Sequence, residues 1–478
     1  MVYGIMRNLT LMTDLYQLTM MQGYFKSGLI ERTAVFDLFF RAATQINYAI
    51  AAGLEQAIDY IQSLKFTKDD IKYLKSLKLF DDNFVQYLST FKFTGDIYSV
   101  EEGEVVFPNE PILVVKAPMG QAQLLETTLL NIINHQTLIA SKAARIVEAA
   151  GDSQVVEFGL RRAQGPDAGI YGTRAAMIGG CKATSNVLGA KLFSILPKGT
   201  HGHSWVLSFE NELASFRAFA DSYPDSCMLL VDTYDTLKSG MPNAIKVFKE
   251  LKAKGHKPLG IRLDSGDLAF LSKRAREMLD KEGFNDAIIF ASNDIDEHLI
   301  EQLKLQSAKI DVYGVGTRLI TSQDMPSLGG VYKLAAFEKE KGNLASVMKF
   351  SNSDLKMTNP GEKNLYRIYD GNDNMAFADL ICLENEVVDS PLVLTHPYDR
   401  WKQTVLEKFT ARKLLVPIFK KGKLVYKVPT LSQTIVFSEN EKKHFWTEYK
   451  RIIRPQVYKV NLSDKLYELR QSKIKTRQ

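Results

Sequence analysis

Apolar positions in the middle of the chain fall into short runs that stop abruptly at polar residues. Val155-Val156-Glu157-Phe158-Gly159 runs into Leu160-Arg161-Arg162. Met228-Leu229-Leu230-Val231 ends at Asp232, Tyr234 and Asp235, and Leu259-Gly260-Ile261 ends at Arg262-Leu263-Asp264-Ser265-Gly266-Asp267. Ala287-Ile288-Ile289-Phe290-Ala291 ends at Ser292-Asn293-Asp294, and Val312-Tyr313 ends at Gly314-Val315-Gly316-Thr317-Arg318. Short, continuously apolar runs read as buried parallel strands. Helical spacing fills the gaps: Met241, Ala244, Phe248 and Leu251 share one face, as do Leu268, Leu271, Ala275, Met278 and Leu279, and Leu299, Ile300 and Leu303 mark a shorter helix. The strands recur roughly every 25–30 residues, the length of a βα unit.

Polar and glycine residues gather at the C-terminal strand ends, where open α/β sheets and (β/α) barrels place their ligands. Arg262 and Asp264 are two residues apart on a strand, so they point the same way. A guanidinium grips phosphate oxygens in a fork, and a carboxylate accepts from sugar hydroxyls or holds a metal. One such pair alone is equally an internal ion pair closing a strand end. Five loaded strand ends in succession argue for a phosphate-rich ligand.

The pattern divides the chain into three zones. Residues 1–135 mix helical and extended segments, as in a sandwich-like α/β domain. Thr13-Asp14 is placed to cap a helix carrying Leu15, Leu18, Met20 and Met21. Gly95 to Ala117 reads as extended, broken by Gly103, Pro108 and Pro111. Leu124 to Ile146 reads as a long helix at the hinge. Residues 136–345 hold the βα repeats. In residues 346–478 the pattern degrades: Asn352 to Asn374 reads as a loop with a turn at Asn359-Pro360-Gly361, a hairpin follows around Lys420-Lys421-Gly422-Lys423, and helices lie around 445–453 and 466–469.

Composition narrows the class. At 478 residues the chain exceeds one core. Its hydrophobic content of 45% is that of a globular protein. No apolar run reaches the ~20 residues of a membrane helix, and Met1 to Thr13 lacks the blocks of a signal peptide. Cys181, Cys227 and Cys382 show no metal or redox spacing, which fits reduced thiols in a cytoplasm. A net charge of +6, partly from Lys473, Lys475 and Arg477, does not point to nucleic acid.

Thr13-Asp14-Leu15-Tyr16-Gln17-Leu18-Thr19-Met20, Glu157-Phe158-Gly159-Leu160-Arg161-Arg162, Gly199-Thr200-His201-Gly202-His203-Ser204, the Arg262–Asp267 run, Gly314-Val315-Gly316-Thr317 and Arg454-Pro455-Gln456-Val457-Tyr458-Lys459-Val460 occur in order. Together they resemble nicotinate phosphoribosyltransferase over nearly the whole chain. The resemblance implies an irregular (β/α) barrel of the type II phosphoribosyltransferase kind, with an N-terminal α/β sandwich-like domain and a C-terminal domain packing near it. It implies coupling of nicotinate to 5-phosphoribosyl 1-pyrophosphate with ATP hydrolysis, giving nicotinate mononucleotide in NAD salvage. Mg²⁺ suits the pyrophosphate leaving group.

The resemblance also distributes roles. Asp264 falls on the ribose side and Arg262 near phosphate, while Asp232 and Asp264 are placed to meet ribose hydroxyls or the metal. Ser292, Asn293, Gly314, Gly316 and Thr317 are the phosphate and ribose candidates. The two glycines read equally as a tight βα turn. Phe158 and Tyr16 are offered as stacking faces for the base, Tyr16 from a second subunit of a homodimer with shared sites. Core packing of Phe158 and an ordinary helix contact of Tyr16 stand beside that reading. Arg161 pairs the nicotinate carboxylate, with Arg162 as its rival; on a strand the two face opposite ways. His203 is the phosphoryl acceptor from ATP, and Ser204 stands beside it on the nicotinate side, where some members carry Glu. His201 is open as a metal or phosphate ligand. Alternatives are the nicotinamide-using relative, the shorter quinolinate enzyme, and a non-catalytic sensor of phosphate ligands on the same barrel.

Overall fold

The computed structural model describes residues 8–41, 47–351, 357–396 and 399–476. Ile139–Pro326 make one compact unit; the described residues before Ile139 and after Pro326 make the other.

The first unit is built on a six-stranded sheet in which every pair is parallel. Its order is Ala183–Thr184, Gln154–Glu157, Val312–Val315, Ile288–Ser292, Gly260–Leu263, Met228–Leu230. Helices Pro166–Gly179, Glu212–Ser222, Met241–Ala253, Leu268–Lys281 and Glu297–Leu305 alternate with the strands. The five runs expected as strands are all strands, each within about two residues of its apolar core. Several polar residues at the ends serve the helices instead of a ligand. Asp267 caps its helix by accepting from Phe270 N at 3.0 Å, and Asp296 accepts from Leu299 N at 2.8 Å.

The segment 196–201 spans the gap between the two sheet edges. Thr184 N donates to Leu196 O and Lys198 N to Thr184 O at one edge. At the other, the Thr200 hydroxyl donates to Met228 O at 2.7 Å and Leu230 N donates to His201 Nε2 at 3.2 Å. The ring is thus completed by an irregular stretch and a side chain, which makes the barrel irregular.

The second unit contains a seven-stranded antiparallel sheet drawn from both ends of the chain. Its order is Asn343–Ser346, Gly330–Glu340, Thr33–Phe40, Leu113–Pro118, Asp96–Ser99, Val416–Lys420, Lys423–Leu424. Val416 pairs with Ser99 and Phe419 with Ile97, so a C-terminal strand lies inside a sheet begun by the N-terminal residues. A second sheet of four strands orders Phe409–Lys413, Lys363–Asp370, Ala376–Leu383, Val460–Leu462.

Three expectations are corrected here. Lys363–Asp370, expected as loop, is a central strand. Its polar residues are buried and neutralised: Lys363 Nζ lies 2.7 Å from Asp37, and Arg367 pairs with Glu104 at 2.5 Å and Asp379 at 2.6 Å. Residues 352–356 of that expected loop lie outside the described residues. The helix expected over 445–453 shrinks to Thr447–Lys450, and the longer one is Leu431–Lys443. Asp14 does precede the helix Leu15–Lys26, but its carboxylate accepts from the Thr127 hydroxyl at 2.9 Å and makes no cap bond. Among the described residues no helix is long and apolar enough to cross a membrane.

Candidate active site

The C-terminal ends of the parallel strands bring the expected polar residues together. Arg262 Nη2 donates to Asp264 Oδ1 at 2.8 Å, and its Nε donates to the Ser292 hydroxyl at 2.9 Å. Ser292, on the neighbouring strand and buried, donates to Asp264 Oδ1. Asp232, one strand further, accepts from Asp264 N at 2.9 Å and from the Ser265 hydroxyl at 2.5 Å through Oδ2. Burial pushes the Asp264 carboxyl up, but the Ser292 hydroxyl, the Arg262 guanidinium and His203 outweigh it and hold it below the usual carboxylate range. The internal ion pair and the loaded strand end are therefore the same object. Asp264 stays ionised because of the groups that would flank a ligand.

His203 opens the short helix His203–Leu207 and leans over this group. Its Nδ1 lies 3.1 Å from the Thr233 hydroxyl and its Nε2 3.6 Å from Asp264 Oδ2. Trp205 Nε1 donates to Ser215 O at 3.1 Å, which anchors the short helix to its neighbour. Ser204 is exposed beside it. His201 has a structural duty. Its Nε2 accepts from Leu230 N, its ring meets Phe219 edge to face at 4.7 Å, and burial pushes its pKa down to about 4. A ring that must accept at Nε2 and stay neutral completes the barrel edge.

Phe158 follows the strand Gln154–Glu157 and is half-buried. It stacks on Phe290 with centroids 5.3 Å apart, and the Arg262 guanidinium sits 5.6 Å from its centroid. It is in part the core residue its type predicts, packed against Val156, Ala183, Met228 and Val312. Gly314 makes this possible: a Cβ there would stand 2.5 Å from Phe290 and 2.9 Å from Phe158. A Cβ at Gly316 would stand 3.3 Å from the Phe158 carbonyl oxygen, and Gly316 precedes the short helix that starts at Thr317. Asn293 takes a left-handed φ of 105° and is exposed at the end of its strand.

The strand argument for Arg161 and Arg162 is corrected. The strand ends at Glu157, and Leu160–Arg162 form a single 3-10 turn. Both guanidiniums are exposed, and neither makes an ion pair among the described residues. The turn is set by Glu157, buried within the strand end, which accepts from Gly159 N, from Thr184 Oγ1 at 2.6 Å and from Thr173 Oγ1 at 3.1 Å. Burial raises the Glu157 carboxyl against those three donors. Tyr16 belongs to the other unit, on the helix Leu15–Lys26, where it is 47% exposed with Leu15 and Met20.

Thr233 and Glu157 were not singled out by sequence reasoning. Thr233 sits between the two aspartates of a strand end already noted. Nothing in a pattern of apolar positions separates it from a solvated threonine.

Comparison with known proteins places these residues in context. The model of the nicotinate phosphoribosyltransferase (NAPRTase) family matches residues 153–363, and the models of its N-terminal and C-terminal domains match residues 11–134 and 362–470. The chain is 47% identical over 470 residues to the nicotinate phosphoribosyltransferase of Bacillus subtilis (strain 168), covering 98% of this chain and 95% of that one. It is 35% identical to the protein of that name from Caenorhabditis elegans, covering 96% and 92%. The crystal structure of human nicotinic acid phosphoribosyltransferase superposes with a TM-score of 0.84 at 28% identity, over 96% of this chain and 99% of that one.

Proposed function

The chain belongs to the nicotinate phosphoribosyltransferase family, and from that premise we propose how its own residues divide the work. The enzyme couples nicotinate to 5-phosphoribosyl 1-pyrophosphate in NAD salvage. Displacing pyrophosphate from the anomeric carbon builds positive charge on the ribose ring, and the Asp264 carboxylate, kept ionised by its neighbours, stands ready to face it. Arg262 takes phosphate oxygens. Ser292, Asn293, Gly314, Gly316 and Thr317 line the sugar-phosphate end.

Phe158, stacked on Phe290 and close to Arg262, offers one face to the base. Arg161, exposed and without an ion-pair partner among the described residues, pairs the nicotinate carboxylate, and Ser204 lies on the same side. Tyr16 supplies the second face from another copy of the chain, so the working unit is a homodimer. The single observation that carries the reading is the Arg262–Asp264–Ser292–Asp232 group with His203 Nε2 3.6 Å from Asp264.

Mg²⁺ fits the donors present. Asp232 Oδ1 is buried with no hydrogen-bond partner, whereas Oδ2 is satisfied twice. An idle carboxylate oxygen beside Asp264 has a cation as its natural counterpart, and Asp232 with Asp264 would hold it. When bound, the ion neutralises charge on the departing pyrophosphate. ATP is a co-substrate: His203 accepts its γ-phosphoryl group, the phosphorus–nitrogen bond forming as the bond to ADP breaks. The phosphorylated ring beside Asp264 adds negative charge where the free ring has none, which is the differential interaction that coupling requires. Three buried cysteines far apart in sequence, Cys181, Cys227 and Cys382, favour a reducing cytoplasm.

The test is direct. The protein is incubated with the phosphoribosyl donor and either nicotinate or nicotinamide, with and without ATP, and mononucleotide is read by chromatography. Nicotinate should be preferred by about 10–100-fold, the worth of one charge-assisted hydrogen bond of ~1.5–3 kcal/mol, and ATP should stimulate. Equal use of nicotinamide would move the chain to that relative's chemistry. No transfer from either base would leave only ligand sensing.

A further inference from the structure

Beside the His203 helix lies an open cleft of about 420 Å³, lined by Glu210, Glu212, Leu213, Tyr234, Ser239 and Asn243 among others. Thr233 touches His203 Nδ1, and Tyr234 is the next residue. The helix that starts at His203 ends at Leu207, three residues before Glu210. The cleft therefore opens at the edge of the site already described.

One of its lining residues, Glu212, keeps an unspent acceptor. Glu212 is only 3% exposed. Its Oε2 is saturated, accepting from the Ser239 hydroxyl at 2.5 Å and from Asn243 Nδ2 at 2.9 Å. Its Oε1 is buried and has no partner. A buried carboxylate oxygen left unpaired costs free energy in the empty protein unless a ligand meets it. The other polar groups point to the same kind of ligand. Asn243 spends its amide N–H on Glu212 and Ser239, which leaves its carbonyl oxygen to accept. Glu210 adds a second carboxylate. Tyr234 is 59% exposed, stacks on no other ring among the described residues, and together with Leu213 provides apolar wall.

A donor-rich flat group fits this set; an anion does not. Two carboxylates repel phosphate, so the charged end of any nucleotide must lie outside the cleft. We propose that the cleft takes a 6-aminopurine base, its exocyclic amine donating to Glu212 Oε1 and its ring lying against Tyr234. The base comes either from the ATP that phosphorylates His203, an arm that rests on the function proposed above, or from a second adenine nucleotide acting as an effector. The shared chemistry is the amine, and it predicts its own discrimination. A 6-oxo purine puts an acceptor in the amine's place and keeps only N1–H as a donor beside it, so it should bind more weakly.

The experiment uses AMP, which has no γ-phosphate to give, with IMP as the 6-oxo contrast, and reads binding to the full chain by calorimetry. The expected result is about tenfold or greater preference for AMP over IMP. Glu212→Gln, whose amide can donate to a 6-oxo group, should shrink that ratio. Tyr234→Ser, a change at an exposed side chain that leaves the fold intact, should weaken AMP about fivefold or more. Equal binding of AMP and IMP, or unchanged AMP binding in a folded Tyr234→Ser, overturns the proposal. The source is then read from turnover. A KM for ATP that rises in Tyr234→Ser, in step with lost AMP binding, assigns the base to the phosphoryl donor. An unchanged KM for ATP, with a response of the parent enzyme to AMP that the variant lacks, assigns it to an effector. If the parent hydrolyses no ATP, the phosphohistidine reading fails while AMP recognition stands or falls on its own.

Discussion

Gly314→Ala is the sharpest perturbation the geometry offers. A methyl at this position would stand 2.5 Å from Phe290 Cε1 and 2.9 Å from Phe158 Cδ2. Ordinary carbon contact begins near ~3.5 Å, so a ring must retreat by roughly 1 Å. The strand itself is held on both sides, Gly314 pairing with Ser292 and with Val156. Its φ is not in the left-handed region, so the cost is steric only. Phe290, the nearer ring, must shift although it is buried, and Phe158, stacked on it and only half-buried, moves with it. Overpacking of this kind costs about 1–3 kcal/mol, which for a unit of this size lowers Tm by roughly 2–12 °C. A misplacement of ~1 Å at a reacting geometry is worth about 10²-fold in rate. The expected result is a folded protein whose kcat/KM for nicotinate has dropped about 10²-fold, read by steady-state assay beside a thermal melt. Gly23→Ala, a helix position where nothing lies within 4 Å, is the control and should leave kcat/KM unchanged without lowering Tm. A folded Gly314→Ala with parental kinetics toward nicotinate would refute the placement of the base against Phe158.

Other outcomes follow from the same site. Arg161→Ala should raise the KM for nicotinate by about 10–100-fold; no change there with a shift in Arg162→Ala would reverse the two arginines. His203→Ala should lose ATP hydrolysis and the acid-labile label from γ-labelled ATP yet keep a slow transfer without ATP, and full labelling of the variant would move the acceptor elsewhere. Subunits carrying Tyr16→Ala mixed with subunits carrying Asp264→Asn should regain activity in hybrid dimers; verified hybrids without rescue would count against a site shared across the interface. His201, held down at about 4 from 6.5, is protonated in the unfolded chain first as pH falls. Its contribution of about 3 kcal/mol is thus present above pH 6.5 and lost as pH falls toward 4. Denaturant midpoints at pH 7 and 5 should differ more in the parent than in His201→Gln, and equal differences would show that the ring does not titrate as argued.

The strand ends were legible because a buried parallel strand leaves a plain mark. The apolar run Ala287–Ala291 stops where its strand, Ile288–Ser292, reaches the polar end of the sheet. Arg262 and Asp264 were readable as a pair since strand alternation fixes their shared side. What escaped depended on partners distant in sequence. Lys363–Asp370 looked like loop because it lies in a stretch rich in Asn, Asp, Gly and Lys, and only Asp37, Glu104 and Asp379 make the burial of Lys363 and Arg367 possible. His201 closes an edge strand through one ring nitrogen, a duty without periodicity. The arginines after Glu157 were placed one element too early because the bonds of Glu157 to Gly159, Thr173 and Thr184 end the strand sooner than its apolar run does.

The strand Val416–Lys420 within the sheet that holds Asp96–Ser99 has a consequence for how the protein is made. Lys420 and Asp96, ion-paired in the finished sheet, are 324 residues apart. At ~5–20 residues per second a ribosome needs roughly 15–65 s to deliver the second after the first. Throughout that interval the Asp96–Ser99 strand carries an unpaired edge, while Ile139–Pro326 emerge complete and hold every strand of their own sheet. The barrel can fold on the ribosome; the sheet around its flanking ends cannot. Nascent chains stalled before Val416 should therefore present the free edge to chaperones, and losing Val416 and all that follows it should expose an aggregation-prone strand far upstream of the cut.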